Sequence, residues 1–302
     1  MYKRAGAAGY ITPPLVLVLL LLMGCATHKG EYFDSAGTRL HYSVRGKGEP
    51  VILVHGFAMD AERNWRWTGI SRALAKDHQV VLIDLRGHGK SDKPHGPAAY
   101  GVNMSEDVVR LMDHLHLDRA HVVGYSLGGF ITLKLVTTHP ERLISAIPCA
   151  AGWEKASGEN MSKLKSLGES VDGPEGFRPL FAELGLPDRG PLNRAVLCLA
   201  DRYLRAHNDT VALAAALESI SALAVTEAEL RANRVPVLSV VGTKDALRPG
   251  VDNLDGVMSE HQTVHIRGGN HATTVIRHSF QKAIRDFLEK HRSSPVEALN
   301  KK

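Results

Sequence analysis

Residues 120–139 read Ala-His-Val-Val-Gly-Tyr-Ser-Leu-Gly-Gly-Phe-Ile-Thr-Leu-Lys-Leu-Val-Thr-Thr-His. The first six form a short run, centred on Val122 and Val123, of the kind expected of a strand covered on both faces. The stretch from Leu127 to His139 reads as a helix and stops before Pro140, which cannot continue one. At the junction stands Gly124-Tyr125-Ser126-Leu127-Gly128, a G-x-S-x-G pattern. So short a pattern says little alone, and the strand before it and the helix after it carry its meaning. Without a Cβ at positions 124 and 128 the strand and helix can pass closely. The turn then holds Ser126 at a strained backbone angle and presents its Oγ above the sheet edge.

The same alternation runs outward in both directions. Tyr32 to Asp34 and Leu40 to Arg45 read as two antiparallel strands around Ser35-Ala36-Gly37. Further strands are expected at Val51 to His55, Gln79 to Leu85, Leu143 to Ala150, Val237 to Gly242 and Thr263 to Arg267. Helices are expected at Ile70 to Lys76, Met104 to His116 and Thr273 to Lys290, with Asn103 as N-cap of the second and Glu106 completing a capping-box pair. Strand and helix in repeated succession predict an α/β fold with a mainly parallel twisted sheet flanked by helices.

One stretch departs from the rhythm. Residues 153–233 hold no convincing strand, only helical patterns such as Leu192 to Ala206, Thr210 to Leu223 and a short helix capped by Thr226 with Glu229. This reads as a helical cap inserted into a core made of residues 32–152 and 234–292. Residues 293–302 are polar and are expected to be a disordered tail.

A serine hydroxyl is a poor nucleophile at neutral pH and needs a base, which in turn needs an orienting group. His271 stands in Gly268-Gly269-Asn270-His271, just past one expected strand, and Asp245 in Gly242-Thr243-Lys244-Asp245, just past another. Parallel strands put their C-terminal ends on one edge of the sheet, so Ser126, Asp245 and His271 are expected to converge there. Glu154 is an alternative orienting acid, and Trp65, Trp67 and Trp153 are candidates for lining the cleft. His114, His116 and His121 do not have the spacing of a convergent metal site. No metal and no cofactor are expected.

On these residues the chain from Tyr32 to Arg292 resembles the α/β-hydrolase superfamily. The resemblance rests on His55-Gly56-Phe57, the run Asp84-Leu85-Arg86-Gly87-His88-Gly89-Lys90-Ser91-Asp92, the Ser126 elbow, Gly242 to Asp245 with Pro249 beyond, and Gly269-Asn270-His271. It implies an α/β-hydrolase fold with Ser126 as nucleophile, His271 as base and Asp245 as its orienting acid. It also implies an oxyanion hole made by the backbone N–H groups of Phe57 and Leu127. His55 is expected to be structural, and the Asp84–Ser91 turn to brace neighbouring loops. A Ser at position 126 weighs against haloalkane dehalogenases, and Phe57-Ala58-Met59 weighs against epoxide hydrolases.

The expected activity is hydrolysis of small or medium carboxylic esters through an acyl-enzyme. A carbon–carbon bond hydrolase, a cofactor-free perhydrolase and an aminopeptidase use the same three residues. Glu154, Glu159 or Glu169 are the carboxylates available to a peptidase for its substrate's ammonium group. From another class, the alternative is a non-catalytic lipoprotein that uses the fold to bind a ligand or partner.

At the N-terminus, Lys3 and Arg4 precede an apolar run from Leu15 to Met23, about half the length that spans a bilayer. The run ends in Leu22-Met23-Gly24-Cys25, which resembles the lipobox of bacterial lipoproteins. Residues 1–24 are therefore expected to be a signal peptide, and 25–31 a lipidated Cys25 and its tether. The implied location is the bacterial cell envelope, with the chain exported, membrane-anchored through Cys25 and facing the periplasm.

Composition bounds the partners. The 302 residues carry 37 Lys and Arg against 32 Asp and Glu, a net charge of +5. Four of the basic residues, Lys3, Arg4, Lys301 and Lys302, sit at the ends. The nearly neutral remainder lacks the basic footprint of a nucleic-acid binder, and a small-molecule ester or acyl substrate is the expected partner. Three cysteines, Cys25, Cys149 and Cys198, are too few for a disulfide scaffold.

Overall fold

The structure is a computed structural model that describes residues 30–153, 158–186 and 188–292. Residues 1–29, with the expected signal peptide and Cys25, lie outside the described residues, as do Glu154 and the 293–302 tail. Eight strands form one sheet in the order β1-β2-β4-β3-β5-β6-β7-β8. They are β1 (Glu31–Ser35), β2 (Thr38–Arg45), β3 (Glu49–Val54), β4 (His78–Ile83), β5 (Ala120–Tyr125), β6 (Leu143–Cys149), β7 (Val237–Gly242) and β8 (His261–Ile266). β1 and β2 pair antiparallel, as do β2 and β4, and every pairing from β4 through β3 to β8 is parallel.

The central strands β5 and β7 are buried along their whole length, which is why their sequences lack polar alternation. β8 closes the sheet at an edge and is only partly buried. Helices α1 (Ile70–Leu74) and α9 (His278–Lys290) cover one face, where Trp65, Ile70, Leu74, Phe280 and Leu288 pack on Val51, Val80 and Val123. On the other face α2 (Asn103–His114) and α3 (Leu127–Thr138) bury Met104, Val108 and Ile131 against Ile52, Val54 and Val122.

Two expected helix starts differ. Asn103 is the first helical residue of α2, not its N-cap; its side chain donates to Ala98 O at 3.2 Å, and Glu106 meets His139 instead. The last helix begins at His278 rather than Thr273. Asn270 accounts for this: its Oδ1 accepts from the Thr273 N–H at 2.9 Å, and its carbonyl accepts the Thr274 N–H at 3.0 Å. Those bonds hold residues 270–274 in a turn around His271 in place of a helix.

Between β6 and β7 the described residues are helical: α4 (Gly158–Asp172), α5 (Arg178–Glu183), α6 (Pro191–His207), α7 (Thr210–Glu218), a 3₁₀ turn at Ile220–Leu223, and α8 (Glu227–Ala232). The pattern read as one helix from Thr210 to Leu223 is thus two pieces meeting at Ser219. Thr226 and Glu229 form the expected capping box. These helices make their own small core, with Leu167, Val171, Phe177, Leu204 and Leu213, which reaches Ala58 on the loop after β3.

Candidate active site

The sheet order reverses around β3: β4 lies on one side of it and β5 on the other. In open α/β sheets the crevice at such a reversal, outside the carboxyl ends of the strands, is where ligands bind. The loop after β3 carries His55-Gly56-Phe57, and the turn after β5 carries Ser126.

Ser126 sits at φ 53° and ψ −113°, a strained conformation for a residue with a side chain. Its surroundings enforce it. The Ser126 N–H donates to Cys149 O at 2.8 Å, and a Cβ at Gly124 would overlap the Gly128 carbonyl. A Cβ at Gly128 would overlap the carbonyl oxygen of Val54, and one at Gly129 would lie 2.6 Å from Ala151 Cβ. Helix α3 can therefore start directly behind the serine only because those three positions lack side chains.

His271 Nε2 lies 3.0 Å from Ser126 Oγ, and His271 Nδ1 lies 3.1 Å from each carboxylate oxygen of Asp245. An ionised carboxylate only accepts, so Nδ1 carries the proton and Nε2 faces the serine as an acceptor. Asp245 is 5% exposed and His271 8%. The Leu247 N–H donates to Asp245 Oδ1 at 3.0 Å and orients the carboxylate. The Lys244 N–H donates to Gly269 O at 2.8 Å, tying the two loops together. Sequence reading placed these three residues at strand ends, and the structure brings them into one hydrogen-bonded row.

The two residues expected to supply oxyanion donors, Phe57 and Leu127, line the same cavity as the serine. A Cβ on Gly56 would stand 3.4 Å from Ser126 Cβ, so the loop after β3 packs against the serine at Gly56. Leu127 opens α3, where the first N–H groups have no partner within the helix. Phe57, Leu127, Ser126 and His271 all line one cavity.

A layer of buried groups supports the loop after β3. The Leu85 N–H donates to His55 Nε2 at 3.0 Å, which places the His55 proton on Nδ1, where it donates to Gly56 O at 2.8 Å. Burial lowers the His55 pKa, so the ring stays neutral. His55 thus lies beneath the loop and away from the reacting row. Beside it His88 Nδ1 donates to Arg86 O at 2.9 Å and its ring meets Phe57 edge to face. Burial, reinforced by neighbouring His55, pushes the His88 pKa down to about 3.

Asp84 accepts from the Ala61 and Lys90 N–H groups at 2.9 and 3.0 Å and from His41 at 3.0 Å. Burial alone would raise its pKa, but these donors and the nearby His55 outweigh it and hold the carboxyl at about 2. Ser91 Oγ donates to the Asp84 carbonyl at 2.6 Å, and Arg86 grips Asp107 at 2.6 and 2.7 Å. The Asp84–Ser91 turn therefore ties β2, the loop after β3 and α2 to one another.

Two residues at the site were not read from the sequence. Tyr125, the variable position before the nucleophile, donates its hydroxyl to the carbonyl of His271 at 2.6 Å. Asn64 lies in a π-helical turn at Glu62–Arg66, and its Oδ1 accepts the Gly56 N–H at 2.9 Å. Such turns recur at functional sites because they re-aim one side chain within a helix. Neither position has a signature in one sequence, since each acts through a partner far away in the chain.

The cavity has a volume of about 470 Å³, and Leu167, Phe177, Leu180, Leu217 and Ile220 supply much of its wall. Trp153 lines it and donates its indole N–H to Val225 O at 3.1 Å. The other two candidate tryptophans do not line it. Trp65 is fully buried on the opposite face of the sheet, and Trp67 lies beneath the Arg63 guanidinium, 5.7 Å from it. Glu169 is exposed and lies outside the lining. Cys149 is buried and Cys198 exposed, both as free thiols. His114 turns to Tyr42, and His121 to Glu49 and Ser145.

With this geometry the chain can be set against known proteins. A family model described as the alpha/beta hydrolase fold matches residues 49–274, and the chain belongs to that family. A candidate carbamate hydrolase, RutD of Azorhizobium caulinodans, is 31% identical over 224 residues, 72% of this chain and 82% of that protein. The 2-hydroxymuconate semialdehyde hydrolase of Pseudomonas sp. (strain CF600) is 31% identical over 158 residues, and the chain spans only 52% of its length. Among solved structures, the enol-lactonase from Burkholderia xenovorans LB400 superposes with a TM-score of 0.70 at 27% identity, over 86% of this chain and all of that one.

Proposed function

We propose that this protein is a serine hydrolase of carboxylic esters that works through an acyl-enzyme. The observation that carries the reading is the row Ser126–His271–Asp245 opening onto an apolar cavity. Ser126 Oγ attacks the ester carbonyl while His271 Nε2 takes its proton. Asp245 keeps the imidazole in the required tautomer and stabilises the imidazolium. The oxyanion is held by the N–H groups of Phe57 and Leu127, each worth about 2.7 to 4 kcal/mol of barrier in comparable sites. His271 then protonates the departing alcohol, and water, activated by the same imidazole, releases the acid and restores Ser126.

The relative named a 2-hydroxymuconate semialdehyde hydrolase favours a second reading, in which the same row cleaves a carbon–carbon bond. The aminopeptidase reading draws less support, because the one glutamate in the described cavity wall, Glu183, is paired with Lys163. The proposal includes export and anchoring through a lipidated Cys25, resting on the sequence: Lys3 and Arg4, the apolar run Leu15 to Met23 and its ending in Leu22-Met23-Gly24-Cys25. Several acyl chains on that cysteine would give stable attachment, at about 0.8 kcal/mol for each buried CH₂.

The test is covalent labelling of the full chain by a fluorophosphonate, read by mass spectrometry, beside turnover of p-nitrophenyl butyrate. An adduct on Ser126, with turnover lost by several orders of magnitude in His271→Ala, supports the reading. A folded sample that takes no label and cleaves no ester overturns it.

A further inference from the structure

The walls of the cavity say what part of a substrate they can hold. The charged side chains in the described wall are Arg63, Lys163 and Glu183. Each of them already has a partner in the structure. Arg63 is ion-paired with Asp60 and donates to the Tyr203 hydroxyl at 2.9 Å, and its guanidinium lies over the Tyr203 ring, 5.5 Å from the centroid. Lys163 on α4 and Glu183 on α5 are paired with each other. Of the nearest polar groups, the Tyr125 hydroxyl holds His271 O and Asn64 Oδ1 holds the Gly56 N–H, while the buried Asn64 Nδ2, an uncharged donor, has no partner among the described residues.

An ionised group brought into this space would lose its water and meet no unpaired counter-charge among the described wall residues, a cost of several kcal/mol in real proteins. A hydrocarbon chain meets Leu, Ile and Phe side chains instead and gains with every methylene buried. The volume of about 470 Å³ sets a limit. At about 30 Å³ for each heavy atom, the share a water molecule takes in the liquid, it has room for roughly fifteen atoms.

Resting on the serine-hydrolase reading, we propose that the substrate carries an uncharged hydrocarbon chain of about six to ten carbons on one side of the scissile ester, seated against the cap helices. This narrows a generic ester to a neutral medium-chain one. It also separates the substrate from short polar acids and from chains bearing a second carboxylate or an ammonium group.

The experiment is a series of p-nitrophenyl esters from acetate to palmitate with the full chain, Ser126 labelling being measured on the same sample. The value of kcat/KM should rise about fourfold per methylene, the fold-change that corresponds to about 0.8 kcal/mol, and peak between six and ten carbons. A monoester of a dicarboxylic acid should be at least a hundredfold poorer than the neutral ester of equal length. Isomeric pairs, a long acid with a short alcohol and the reverse, assign the chain to the acyl or the alcohol side. Leu180→Trp, which fills part of the cavity, should move the optimum at least two carbons shorter.

A labelled, active enzyme that prefers acetate, prefers the charged ester, or shows no dependence on length overturns this proposal and leaves the hydrolase reading standing. An unlabelled, inactive one overturns both.

Discussion

The hydroxyl of Tyr125 donates to the backbone carbonyl of His271 at 2.6 Å, so the residue preceding the proposed nucleophile holds the main chain of the proposed base. Between them runs the 3.0 Å contact from His271 Nε2 to Ser126 Oγ. The two residues are 146 positions apart, and their bond closes a small ring through Ser126 that fixes where the imidazole stands.

Tyr125→Phe opens that ring while keeping the aromatic packing. Folding stability should fall by about 1 to 3 kcal/mol, the cost of leaving a buried carbonyl without its donor. Ester turnover should fall about tenfold or more through kcat, with KM little changed, because the imidazole is less well placed. Steady-state kinetics beside urea denaturation checks both; an unaltered kcat would remove Tyr125 from any positioning role.

Asn64 acts on the other side of the serine. Asn64→Ala leaves the Gly56 N–H without an acceptor, and kcat should fall about tenfold or more as the Phe57 N–H loses its aim. Asn64→Asp keeps an acceptor but sets a carboxylate near the developing oxyanion. Its kcat should therefore decline as pH rises through the titration of that new carboxyl, a limb that Asn64→Ala lacks. Parallel pH–rate profiles of the two variants give the answer, and matching profiles would mean that the loop does not transmit the position of Asn64.

The glycines of the elbow differ sharply from those of ordinary turns. Gly128→Ala places a methyl into the Val54 carbonyl, which belongs to rigid backbone, and should cost about 3 kcal/mol or more. Gly37 lies at φ +83° with open space around its missing Cβ. Gly37→Ala should cost only the conformational strain, about 1 to 2 kcal/mol. Thermal or urea midpoints of the pair test the ranking, and equal losses would contradict it.

His88 makes stability depend on pH. Its folded pKa, held down to about 3 by burial and by His55, lies below the model-peptide value of 6.5. The unfolded chain thus binds a proton that the folded chain refuses. The stabilisation is fully present above pH 6.5 and is lost as pH falls toward 3, with a slope of at most about 1.4 kcal/mol per unit. Urea midpoints between pH 7 and pH 4 should fall for the wild type and fall less steeply for a folded His88→Asn variant. An unchanged slope would show that other groups carry the acid sensitivity.

Much of this molecule is legible in the sequence. Continuous Val, Ile and Leu runs announce buried parallel strands, since only a strand covered on both faces needs no polar alternation. G-x-S-x-G between such a strand and a helix locates the elbow, and residues just past parallel strands must gather at one edge. The convergence of Ser126, Asp245 and His271 is legible for that reason. The misjudged helix start at Thr273 has an equally local cause, because the Asn270 and Thr273 side chains compete with the helix for backbone hydrogen bonds.

Only the tertiary structure decided the rest. Whether a tryptophan lines a cleft or sits beneath the sheet, as Trp153 and Trp65 respectively do, depends on which face its element presents. That Asn64 supports Gly56, that Tyr125 anchors His271, and that Arg63, Lys163 and Glu183 are neutralised by partners are facts of proximity between distant segments. Local propensity and periodicity are properties of neighbours along the chain and read directly from its order. The shape and charge of a cavity are sums over residues that meet only once the chain has folded.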